Sequence, residues 1–172
     1  MMFYKSLVAI LILMQSLDWY LYTSEDLNCS ILFPSKPQAQ VKNIITELGD
    51  VKQTTAFTLS QDSSNIEYQL ISSKYTSELF ESEKMDSSRL LIQSTIINEM
   101  RAFLDGKIIY ENEAELNGIP CYWFLIKYRD HLALKSCLIW DKNNLISLIH
   151  YSEYEKRLDS NSERFFNSFE LF

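Results

Sequence analysis

The chain has 172 residues, 47% of them hydrophobic and 13% aromatic. That suits one domain with a sizeable core and excludes a disordered chain. A net charge of -7, with no cluster of Lys or Arg, disfavours a nucleic-acid partner, because an acidic surface repels phosphate backbones.

The N-terminus reads MMFYKSLVAILILMQS. Lys5 precedes an apolar run from Leu7 to Met14, and Gln15 and Ser16 form a polar exit. This is the layout of a secretory signal, and the run is short against the ~20 residues a bilayer span takes. Residues 1–16 are therefore expected to be a signal peptide and 17–172 a single domain. An uncleaved anchor reaching Tyr22 is the alternative. Cys29 sits too late, behind Asp26, Leu27 and Asn28, to be a lipid-attachment site.

CSILFP at 29–34 predicts a strand that Pro34 ends, since proline offers no N–H to a ladder. Val41–Leu48 and Val51–Leu59 predict a hairpin about Gly49-Asp50. The alternating Ile66, Tyr68 and Leu70 predict another strand, to Tyr75. The acidic segment 76–88 reads as a loop with the apolar pair Leu79-Phe80 in its middle. Leu90, Ile96, Ile97, Met100, Phe103 and Leu104 recur at helical spacing, which predicts a helix near 87–104 with Gly106 just past its end.

A sheet-rich half follows. Strands are predicted over 107–116, 121–129, 132–140 and 145–151, with Asn117-Gly118 as a hairpin turn. CYWFLIKYR at 121–129 is apolar on both faces and belongs at the centre of a sheet. A turn near Asp130 sets Cys121 opposite 139 or 140, so a direct Cys121–Cys137 bridge needs a shifted register and buried free thiols are expected. Phe165, Phe166 and Phe169 predict a short final helix, capped by Asp159 or Ser162 and packed on the sheet. The expected fold is α+β: a twisted antiparallel sheet of about seven strands carrying two main helices.

The motifs W-x-x-Y (19–22), ILFPSKP (31–37), ELGDV (47–51), YQLISSKY (68–75), LNGIPCYWF (116–124) and RFFNSFEL (164–171) occur in an order that resembles exported bacterial proteins of the PsbP-like fold. That group is found in Bacteroidetes and other bacteria, and most of its members have no assigned function. Cys121 departs from the group, where Gly is frequent after the proline. The resemblance implies a PsbP-like fold and assigns no catalytic residue. PsbP itself is an extrinsic subunit of the photosynthetic oxygen-evolving complex, and fold likeness does not carry that role.

Chemistry is sparse. The two histidines, His131 and His150, fall in a turn and in the last strand of the meander. No nucleophile elbow, phosphate loop, C-x-x-C or H-E-x-x-H is present. Glu111, Glu113 and Glu115 alternate along one strand and share a face. This row is the candidate metal site, for a hard cation such as Ca²⁺, although that ion takes about six to eight oxygens; the plainer reading is a solvated edge. The expected function is an exported, non-catalytic binding or accessory module of the cell envelope with a protein partner. No cofactor or nucleic acid is expected, and contact with the membrane comes only through an uncleaved N-terminus. A small-ligand or metal carrier using a sheet face is the alternative, and a hydrolase ranks last.

Overall fold

The computed structural model describes residues 19–46, 49–80 and 85–172. The signal-peptide expectation lies outside them. So do residues 47–48 and 81–84.

The strands are β1 (Tyr20–Ser24), β2 (Cys29–Phe33), β3 (Gln38–Thr46), β4 (Gly49–Leu59), β5 (Asn65–Lys74), β6 (Lys107–Leu116), β7 (Ile119–Tyr128), β8 (Leu132–Asp141), β9 (Asn144–Glu153) and β10 (Glu170–Leu171). The helices are α1 (Met85–Phe103) and α2 (Ser160–Asn167). A seven-stranded sheet runs β3-β4-β5-β9-β8-β7-β6 with every neighbour antiparallel. The fold is α+β, as the sequence implies.

Alternation builds the layers. Tyr122, Phe124, Ile126 and Tyr128 of β7 face the helix α1, in a core with Ile92, Ile97, Leu134, Leu138 and Leu145. Cys121 and Trp123 point the other way, toward Phe33, Tyr68, Phe165 and Phe166. The large sheet is thus the middle layer, and its central strands are apolar on both faces because both faces are covered.

The second cover differs from expectation. CSILF does not join the large sheet. It is the middle strand of a separate three-stranded sheet, β1-β2-β10, with Tyr20 opposite Phe33 and Glu170 opposite Ser30. Tyr20–Ser24 is therefore part of the folded domain. No helix among the described residues is long and apolar enough to cross a membrane.

Three turns are shifted or sharpened. Thr46 pairs with Gly49, so Gly49-Asp50 belong to β4 rather than to the turn. Asn117 and Gly118 both have positive φ (53° and 78°), the type I′ geometry that a two-residue hairpin favours. After α1, the left-handed residue is Asp105 (φ 48°) rather than Gly106. Gly106 N–H donates to Arg101 O at 2.9 Å and Asp105 N–H to Ala102 O at 3.2 Å, a Schellman closure.

The α1 stripe is partly borne out. Ile97 is buried, and Ile96, Met100 and Leu104 pack against the sheet, but Leu90 and Phe103 are exposed and Ile92 takes the inner place. The Leu79-Phe80 pair sits in a short 3-10 turn, and Phe80 packs on Trp140 with ring centroids 5.5 Å apart. The pair covers the sheet rim instead of standing free.

Candidate functional site

The register draws two rows of side chains across the face under α2. One runs Tyr110, Leu125, Lys135, His150, Tyr68. The next runs Asn112, Trp123, Cys137, Leu148, Leu70. Most of these positions are apolar, as a covered sheet face requires. Asn112 at the edge, Lys135 and His150 are the exceptions, and the last two are cross-strand neighbours.

Lys135 is 8% exposed. Its Nζ lies 5.0 Å from the centroid of Trp123 and 4.8 Å from that of Phe166, in the angle between two rings that meet edge to face. Among the described residues, Lys135 has no hydrogen bond and no carboxylate at ion-pair distance. Burial holds its pKa below the ordinary lysine value, and the charge of Glu163 in the first turn of α2 opposes that shift. Among the described residues, the ring faces are the ammonium's only close partners, through their quadrupoles.

Lys135 lines an open surface pocket of about 350 Å³ together with Tyr110, Asn112 and Trp123. Two further cations flank the Tyr154 ring. Lys127 Nζ lies 4.8 Å from the Tyr154 ring centroid, and the Arg157 guanidinium lies 4.0 Å from the same centroid. Burial raises the pKa of Tyr110 and lowers that of Lys135, and the charge of Arg157 opposes the first shift and adds to the second. In a chain of net charge -7, this corner is locally basic.

His150 is fully buried and stacks on Tyr68 at 4.4 Å with an interplanar angle of 17°. Neither ring nitrogen has a hydrogen-bond partner among the described residues. Burial pushes its pKa down to about 4, against the opposing pull of Asp159. A neutral, walled imidazole cannot exchange protons with a substrate near neutral pH. His131 is exposed in the β7–β8 turn, away from any such partner.

The three cysteines are free and buried. Trp123 is opposite Cys137, which leaves Cys121 diagonal to it, as the expected register requires. The two thiols hydrogen-bond, and burial pushes the Cys137 thiol far up. Cys29 is an interior residue of β2 whose thiol burial raises to about 11, in keeping with the rejected lipid anchor.

Glu111, Glu113 and Glu115 do share a face of the edge strand β6, and all are exposed. Glu111 hydrogen-bonds Tyr122, while Glu113 and Glu115 border a wider cleft of about 580 Å³ beneath Arg89 of α1. Among the described residues, no three His, Cys, Asp or Glu side chains converge to hold a metal ion. The row is extended where a cation site would be gathered.

Lys135 was not among the residues the sequence singled out. Its signal was the lone charge in LALKSCLIW, a strand otherwise apolar at inward positions.

No protein-family model and no curated protein matches the chain. Solved structures do. The solution structure of cyanobacterial PsbP (CyanoP) from Synechocystis sp. PCC 6803 aligns over 89% of this chain and 92% of its own, with TM-score 0.59 and 10% identity. The fold is PsbP-like. A Pseudomonas aeruginosa protein of unknown function aligns over 81% of this chain and 85% of its own at TM-score 0.38 and 8% identity. The PsbP-like frame supplies the wide sheet on which the Lys135 corner is built, and identity this low fixes the fold alone.

Proposed function

We propose that this protein is an exported, non-catalytic binding module with an accessory role in the cell envelope. The observation that supports it is Lys135. Holding an ammonium nearly dry without a counter-charge opposes folding, and such a local conflict marks a place kept for binding. Acid–base chemistry has no comparable support. His150 is closed in by Tyr68, and the thiols are buried. The PsbP-like fold over nearly the whole length of CyanoP fits an accessory domain. Lys5, the apolar run from Leu7 to Met14 and the polar Gln15-Ser16 support export.

The test is fractionation of a bacterium expressing the full chain with a C-terminal tag, followed by mass spectrometry of the native protein. The reading expects an envelope or periplasmic product beginning near Leu17, with an envelope protein co-purifying under native conditions. A cytosolic product that begins at Met1 and purifies alone would overturn it.

A further inference from the structure

We propose that the cavity between β6, β7 and β8 binds a small planar aromatic carboxylate. Its carboxylate would sit on Lys135 Nζ and its ring against Trp123 and Tyr110. The proposal rests on the binding-module reading and names the ligand class of that site.

Four features carry it. The pocket, open to solvent and about 350 Å³, lies at the small end of ligand sites and leaves room for a ring to lie along its floor. Its walls are two aromatic side chains and one amide, Asn112, which can donate to a carboxylate oxygen. Its single buried charge is an ammonium whose partners are ring faces, so an arriving carboxylate gains a charge-assisted hydrogen bond that the protein itself leaves unmade. The Arg157 guanidinium acts by its charge on both Tyr110 and Lys135 and so adds positive field there.

The same features argue against other ligands. A metal ion would meet an ammonium. A phosphate dianion calls for several converging donors, and of the lining only Lys135 and Asn112 turn N–H groups toward it, the Trp123 indole N–H being engaged by Cys121. A neutral aromatic molecule would leave the ammonium as it was. Glu163 is the nearest acid acting on Lys135, and it is exposed on α2, where water screens it.

Isothermal titration calorimetry of the full-length protein tests this with sodium benzoate, benzamide and inorganic phosphate as probes. Benzoate is expected to bind saturably. Benzamide, with the same ring and no charge, is expected to bind at least about tenfold more weakly, as is phosphate. Lys135→Met, which keeps the stem and removes the charge, should lose about tenfold or more for benzoate while unfolding no earlier than the wild type in urea. Glu163→Gln, which removes the competing acid, should bind benzoate at least as well as the wild type. Equal affinity for benzoate and benzamide would overturn the proposal, as would tighter binding of phosphate. Undiminished benzoate binding by a folded Lys135→Met would do the same, and so would the absence of saturation up to about 10 mM benzoate. Export and co-purification of an envelope protein would survive each of those failures, so the site and the wider reading fail separately.

Discussion

Two buried titratable groups dominate at the scale of single residues. His150 stays neutral in the folded protein down to about pH 4, whereas the unfolded chain takes up that proton near pH 6.5. Between these values the unfolded state binds more protons, so acid favours unfolding. The contribution is fully present above about pH 6.5 and is lost as pH falls toward 4, by roughly 3 kcal/mol at most. Urea unfolding at pH 7.5 and pH 4.5 should show that drop, and His150→Phe, which keeps a ring on Tyr68, should flatten it. An equal drop in the variant would mean that other groups control acid stability. For Lys135, replacement by Met should raise stability by about 1 kcal/mol, because a dry charge leaves and the aliphatic stem stays. A clearly destabilised variant would show that the ring contacts outweigh desolvation. The thiols give a third reading: in native protein all three should react with a disulfide reagent at least about tenfold more slowly than in urea. The sequence disclosed these residues unevenly. Alternation put Glu111, Glu113 and Glu115 on one face correctly. It could not show whether they gather, because gathering depends on what the neighbouring elements bring to that face.

Among the elements, the end of α1 separates two uses of glycine. Asp105 holds the left-handed position that closes the helix, where glycine suffers least. Gly106 is needed for another reason. A Cβ there would run into Ile126 Cγ2 and come within 3.1 Å of Lys127 O. Asp105→Gly should therefore stabilise by about 0.5–1 kcal/mol, and Gly106→Ala should destabilise by about 1–3 kcal/mol through overpacking on β7. Denaturation midpoints of the two variants should move in opposite directions, and a shared sign would refute this account of the helix end. The strands β6 to β9 were legible in sequence because each is dense in β-forming residues and each turn is local, with Asn117-Gly118 marking one of them. The small sheet was not. Glu170 pairs with Ser30 from the opposite end of the chain, and a two-residue strand carries no periodicity of its own. The α1 stripe was overread because Leu90 and Phe103 satisfy helical spacing, yet nothing packs over them.

For the whole molecule, the layered arrangement explains why a basic corner survives in an acidic protein. The large sheet is covered on one face by α1 and on the other by α2 and the small sheet, and Lys135 lies where the second cover stops short of β6. A charge deeper under α2 would have no opening, and one beyond β6 would be ordinary surface. The account stands on that position, and the titration of the Lys135 ammonium itself tests it most directly. In full-length protein with isotope-labelled lysine, NMR should follow the Lys135 signal, assigned by its loss in Lys135→Met, through a pH series with and without saturating sodium benzoate. The account predicts a midpoint below the ordinary ~10.4 for the empty site and a rise when benzoate binds, because a carboxylate favours the charged form. A midpoint at the ordinary value that benzoate leaves unmoved would contradict it.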